Sequence, residues 1–128
     1  MENLDQLKAV TFDVFGTVVD WRSSIAREIN LLADGKEVSI DGAEFASAWR
    51  SLYQPSMSKV RSGEIPFQPL DALHRNNLDR VLEQYKFDQL SEPEKVYLNR
   101  VWHRLDPWPD VIEGLVRLKE RYIIGTLS

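Results

Sequence analysis

The side chain best placed to do chemistry is Asp13. It closes the apolar run Ala9-Val10-Thr11-Phe12 and is followed at once by Val14-Phe15-Gly16-Thr17-Val18-Val19-Asp20. A carboxylate can attack carbon or phosphorus and form a covalent intermediate that water later opens. An aspartate at the carboxyl end of a strand also sits where open α/β sheets place their ligands. A charge set against the edge of a core is costly unless it has a partner or a task. Gly16 permits the tight turn that ends the strand, and Thr17 brings a hydroxyl close to the carboxylate. The competing reading of Asp13 is a strand-end aspartate that caps a turn. The glycine, the threonine and the layout that follows weigh against it.

The elements around Asp13 set its position. Leu7 to Phe15 reads as a buried strand, because Val10, Phe12 and Val14 alternate while Ala9 and Thr11 can also pack. Such two-sided apolar character suits a parallel sheet covered by helices. From Trp21 to about Leu105 the period becomes helical. Ile25, Ile29 and Leu32 share one face of a helix that Asp34-Gly35 should end. Asp41 and Glu44 form a capping-box pattern ahead of Phe45, Ala48, Trp49, Leu52 and Tyr53, and Pro55 should bend or end that helix. Leu70, Leu73, Leu78, Val81, Leu82 and Tyr85 make a further apolar face. Ser91 and Glu94 are a second capping box, with Pro93 in the first turn of a helix over Val96 to Leu105. Asp106-Pro107-Trp108-Pro109-Asp110 is a stiff break, followed by an amphipathic helix on Val111, Ile112, Leu115, Val116 and Leu118. Tyr122 to Ser128 reads as a second strand.

The order strand, helical block, helix, strand predicts an α/β fold: part of a Rossmann-like parallel sheet core (residues 1–19 and 107–128) interrupted by a helical cap insertion (residues 20–106). Two strands and one crossover helix cannot cover a parallel sheet on both faces, so the chain is expected to be the front part of a longer protein.

Composition narrows the function. The 128 residues carry a net charge of −4, with 43% hydrophobic and 28% charged residues, which is ordinary for a globular protein and leaves no basic footprint for nucleic acid. There is no cysteine, which excludes disulfides, thiol catalysis and cysteine-ligated zinc. Met1-Glu2-Asn3-Leu4-Asp5 has neither the basic start nor the apolar stretch of a signal peptide, and no run approaches the ~20 apolar residues of a membrane span. A soluble cytoplasmic protein is the default expectation.

The order D-x-F-G-T-x-x-D at Asp13 to Asp20 resembles the first motif of the haloacid dehalogenase superfamily, in which the aspartate is a nucleophile. Phosphatase-like members carry a second aspartate two residues on, which protonates a leaving alcohol beside a magnesium ion. Here that position is Phe15. A phenyl ring cannot donate a proton, and a halide needs none. The chain therefore resembles the (S)-2-haloacid dehalogenases (type II), which use neither metal nor cofactor. Ala48-Trp49-Arg50 is similar to the family's tryptophan–arginine pair, whose arginine faces the departing halide. Val111 to Ser128 is similar to the return helix and second strand, which end on a serine that binds the substrate carboxylate. Phe67-Gln68 weakly resembles the aromatic wall of the substrate pocket.

The resemblance implies catalytic roles for Asp13, Thr17, Arg50 and Ser128. It places a small halogenated carboxylic acid against Arg50, Ser128 and the backbone of Val14 and Phe15. Family members are often dimeric through the cap, so a homodimer is a candidate assembly. The family's third-motif lysine and its downstream asparagine and aspartate have no counterpart in these residues, so 128 residues alone should turn over little. The alternatives are a magnesium-dependent phosphatase of the same superfamily and a non-catalytic truncated remnant.

Blander readings stand beside each role. Arg50 could be a solvated helix charge beside a core tryptophan, Ser128 could have no role, and Thr17 could simply close the turn. Phe67 reads more readily as core. His74 and His103 lack ligand spacing and read as surface or satisfied residues, and Trp21, Trp49, Trp102 and Trp108 as core or interface.

Overall fold

The computed structural model describes residues 4–128, and the reading of the first residues as lacking a leader falls partly on Met1 to Asn3, which lie outside the described residues. In chain order the main elements are β1 (Ala9–Phe12), α1 (Trp21–Gly35), α2 (Gly42–Ser51), α3 (Tyr53–Arg61), α4 (Leu70–Gln84), α5 (Glu92–Asn99), a 3-10 turn (Arg100–His103), α6 (Val111–Lys119) and β2 (Ile123–Thr126). They fall into two compact units, one made of the residues up to Trp21 with Leu105–Ser128, the other of Arg22–Arg104.

The first unit is α/β. β1 and β2 pair in parallel with Ala9 opposite Ile123 and Phe12 opposite Thr126. The register continues past the strands, since the Leu127 N–H reaches the Phe12 carbonyl at 2.8 Å. The expected strand from Leu7 to Phe15 is shorter than its apolar run, and it is not buried. Val10 and Phe12 are half-buried while Ala9 and Thr11 are exposed. The reason is coverage: α6 and two strands leave Leu7, Ile112, Val116, Ile123 and Leu127 exposed, the last two by 72% and 71%. A parallel strand needs helices on both faces to be enclosed.

The second unit is all helical and holds the fully buried apolar side chains among the described residues. Ile25 and Ile29 of α1, Phe45 and Trp49 of α2, Leu78 and Val81 of α4, Phe87, Leu98 and Val101 are each within 1% of complete burial. Each such side chain contributes on the order of 2 kcal/mol of transfer free energy. The helix ends follow local chemistry. The Asp41 carboxylate accepts from the Ala43 and Glu44 N–H groups, while Glu44 turns to Arg22 at 3.5 Å. Asp41 thus caps alone, where a reciprocal box was expected. At α5 the Ser91–Glu94 box is complete. Pro55 lies in the first turn of α3, and α2 ends at Ser51, four residues before it. A proline ring clashes with the carbonyl four residues back, so the break falls there. α5 also gives way to the 3-10 turn before Leu105, so the helix expected over Val96 to Leu105 stops early. Among the described residues no helix is long and apolar enough to cross a membrane.

Candidate functional site

Asp13 is the first residue past β1 and is exposed at the carboxyl end of the parallel pair. The backbone turns sharply behind it. The Val18 and Val19 N–H groups both reach the Val14 carbonyl (2.9 and 3.1 Å), and the Gly16 N–H reaches the Val19 carbonyl at 2.9 Å. Gly16 has φ of 89°, the left-handed region where a side chain is strained. The turn brings Thr17 back over the strand end, and its hydroxyl donates to Asp13 Oδ2 at 2.8 Å. An interaction with an ionised acceptor is about twice as strong as a neutral one and fixes the carboxylate plane.

The break after residue 105 buttresses this turn. The Trp108 indole N–H donates to the Gly16 carbonyl at 3.0 Å. The Trp108 backbone N–H reaches the Val18 carbonyl at 3.1 Å, and the Asp20 N–H reaches the Asp106 carbonyl at 2.8 Å. The stiff Asp106–Asp110 segment therefore clamps the loop that carries Thr17. Nothing in its composition beyond rigidity pointed to that task. Ser128 follows β2, and because the strands are parallel it emerges at the same end as Asp13, Val14 and Phe15. These residues and Thr17 share one unit. An apolar recess of about 230 Å³ lined by Phe12, Val18, Leu115, Ile124, Gly125 and Thr126 adjoins the strand ends.

Arg50 belongs to the helical unit, on the last turn of α2. Its guanidinium carbon lies 4.4 Å from the centre of the Tyr53 ring and 5.9 Å from that of Trp102. A planar cation is well suited to ring faces, and this stacking is among the contacts that orient it. Trp49 is 1% exposed, and its indole N–H donates to the His74 carbonyl at 3.0 Å. Trp102 packs edge-on against Trp49 with centroids 5.3 Å apart.

His74 corrects the expectation of a surface or satisfied histidine. It is 3% exposed, and neither ring nitrogen has a hydrogen-bond partner. Its ring lies 4.7 Å from Trp102 and 6.1 Å from Tyr53. Burial lowers its pKa from 6.5 to about 4; Asp71 pulls it up, while Arg50 and His103 push it further down. His103 differs: its Nε2 sits 2.7 and 2.9 Å from the two Asp71 carboxylate oxygens. Phe67 is also corrected. It is 86% exposed on the segment between α3 and α4, and contributes nothing to the core. A lone histidine carries no sequence signal of burial, so only the packing reveals His74. Among the described residues no three His, Cys, Asp or Glu side chains cluster as a metal site would need.

No protein-family model and no curated protein matches the chain. Solved structures do. A defluorinating L-2-haloacid dehalogenase is 46% identical with a TM-score of 0.87, over 94% of this chain and 50% of its own. A second L-2-haloacid dehalogenase is 38% identical with a TM-score of 0.83, over 95% of this chain and 52% of its own. The L-2-haloacid dehalogenase from Xanthobacter autotrophicus, at 22% identity and a TM-score of 0.75, shares the fold. The chain thus spans about half the length of the solved structures it matches.

Proposed function

We propose a hydrolytic reaction at carbon, from the premise that this chain is a relative of the L-2-haloacid dehalogenases of the haloacid dehalogenase superfamily. The protein that carries it converts short-chain (S)-2-haloacids to 2-hydroxy acids through an ester on Asp13. The observation that carries this reading is the Asp13 carboxylate at the strand end, oriented by Thr17 through Oδ2, with Phe15 in the place where a proton donor would otherwise stand.

In this reading the substrate carboxylate lies against the backbone of Val14 and Phe15 and the Ser128 hydroxyl. Asp13 Oδ1 attacks the α-carbon opposite the halogen. The carbon–oxygen bond forms as the carbon–halogen bond breaks, and the halide leaves with the bonding pair. Arg50 meets that developing negative charge, where preorganised electrostatic stabilisation supplies the largest catalytic contribution. Water then attacks the Asp13 acyl carbon. The acyl–oxygen bond breaks, the carboxylate is regenerated, and one proton passes to solvent. The 2-hydroxy acid keeps its α-carbon to oxygen bond and carries inverted configuration.

Residues 1–19 and 107–128 act as the sheet core of this reading and residues 20–106 as its cap, and a homodimer through the cap belongs to the same reading. The activity is that of the whole protein. Residues 1–128 alone should turn over slowly, because a two-stranded sheet leaves the strand ends poorly enclosed.

The test is halide release from (S)-2-chloropropionate, set beside magnesium-dependent hydrolysis of a generic phosphate ester. Halide release with an ester trapped on Asp13 by mass spectrometry, and none in Asp13→Asn, supports the proposal. Phosphate release that depends on magnesium, with no ester of the haloacid, replaces it with the phosphatase reading. Neither activity in the protein that carries this sequence leaves the non-catalytic reading.

A further inference from the structure

Arg50 rests on Tyr53 and Trp102, and both rings rest on a third group that the reaction does not use. His74 of α4 packs 4.7 Å from Trp102 at an interplanar angle of 31°, and 6.1 Å from Tyr53. Its backbone carbonyl takes the Trp49 indole N–H at 3.0 Å. The side chain is 3% exposed with both nitrogens unpartnered. Leaving two polar atoms buried without partners is costly, and an apolar ring of the same size would avoid that cost. A hydrogen-bonding role does not account for the residue. Its flat ring, tilted against both the Trp102 and Tyr53 rings, does.

We infer that His74 is a positioning residue for Arg50: its buried ring braces the Tyr53 and Trp102 faces against which the guanidinium lies. This rests on the reading of Arg50 as the cation that meets the leaving halide. His74 touches neither substrate nor halide. It acts through the two rings, which set the direction of the guanidinium plane. Neutrality belongs to the same device. The charged and titratable groups around the ring are Arg50 from α2, the Tyr53 phenol from α3, Asp71 on its own helix and His103 from the 3-10 turn. Asp71 is held by His103 at 2.7 Å. A proton on His74 would therefore set a second cation behind Arg50, with the Asp71 carboxylate already engaged.

The experiment is nuclear magnetic resonance of the 128-residue chain, reading the Arg50 Nε–Hε signal, which ring currents displace when a guanidinium lies over an aromatic face. Tyr53→Leu removes one stacking face directly and sets the scale of the effect. His74→Ala should lose most of the ring-current displacement, approaching the position seen in Tyr53→Leu, while His74→Phe should keep the native position. Should His74→Ala fail to fold, His74→Leu fills the space without a flat ring and should show the same loss. On acidification the native signal should move together with the His74 ring protons, and the His74→Phe signal should stay still. An Arg50 signal unchanged in a folded His74→Ala or His74→Leu protein overturns the inference, as does an Arg50 signal that ignores protonation of His74. The readout needs no turnover, so it separates failure of this inference from failure of the dehalogenase reading, which halide release tests.

Discussion

Thr17 donates its hydroxyl to Asp13 Oδ2 at 2.8 Å across a turn only four residues long. The turn exists because Gly16 adopts φ of 89° and because Val18 and Val19 share the Val14 carbonyl. Removing the hydroxyl while keeping the side-chain shape isolates this one bond. Thr17→Val should lower kcat/KM for an (S)-2-haloacid by roughly tenfold, the effect of about 1.4 kcal/mol expected for one bond to an ionised acceptor. Both residues are exposed, so unfolding stability should stay within about 0.5 kcal/mol. Thr17→Ser should recover most of the loss. Steady-state kinetics beside urea unfolding checks it, and an unchanged kcat/KM in Thr17→Val removes Thr17 from the site.

Arg50→Lys keeps the charge and discards the plane. The guanidinium sits 4.4 Å from the Tyr53 ring centre and 5.9 Å from that of Trp102. An ammonium is compact and strongly hydrated, and does not hold such a stacked orientation. In the proposed reaction the group acts on charge that appears as the halide departs, so halide release should fall by at least roughly tenfold, chiefly in kcat. Stability should fall by about 1 kcal/mol or less, the scale of one cation–π contact. Wild-type kcat in Arg50→Lys would remove Arg50 from the reaction.

The local signals in the sequence were legible, and the distant ones were not. The strand-to-turn passage at Asp13, the Ser91–Glu94 box, the end of α1 at Gly35 and the second strand before Ser128 all depend on neighbours a few residues apart, and the structure carries each of them. Asp41 is legible as a cap, but the second half of its box does not form, because Arg22 from another helix draws Glu44 away. The buried side of His74 and the exposed side of Phe67 are illegible in the sequence for one physical reason. Burial is a property of tertiary packing, and an isolated histidine or a phenylalanine between two prolines has no period to reveal its side. The Arg50 clamp joins α2, α3 and the 3-10 turn, so only the fold assembles it.

Gly42 offers a test of packing that is independent of function. It opens α2, its N–H donates to Asn30 Oδ1 at 3.0 Å, and a methyl group there would land on the Ala26 carbonyl oxygen and within 2.5 Å of Asn30 Oδ1. One of those neighbours is helix backbone and cannot step aside. Gly42→Ala should cost about 1–3 kcal/mol, the usual range for overpacking. Gly35→Ala, where a new methyl meets nothing within 4 Å, serves as the control and should change stability by less than about 1 kcal/mol. Urea unfolding of the two variants decides, and equal midpoints would mean that α1 and α2 do not pack this closely.

His74 should make stability fall as the solution is acidified. Unfolded, its imidazole takes a proton at the ordinary value of 6.5; folded, burial holds that back to about 4. Below 6.5 the unfolded chain therefore binds more protons than the folded one, and folding weakens as pH drops. The loss begins near pH 6.5, grows down to about 4 and is flat below that, reaching on the order of 3 kcal/mol for a group this buried. Glu92 and Glu94 also lower stability on acidification. Arg75 holds the Glu92 carboxyl below its usual range, and the Ser91 N–H holds that of Glu94. Their contribution is lost as pH falls through the carboxylate range and is common to any variant at position 74. His74→Phe should thus remove the part of the slope between about 6.5 and 4 and leave the carboxylate part in place. Urea unfolding of both proteins across that interval measures the difference, and parallel stability curves would show that the buried imidazole accepts its proton as readily folded as unfolded.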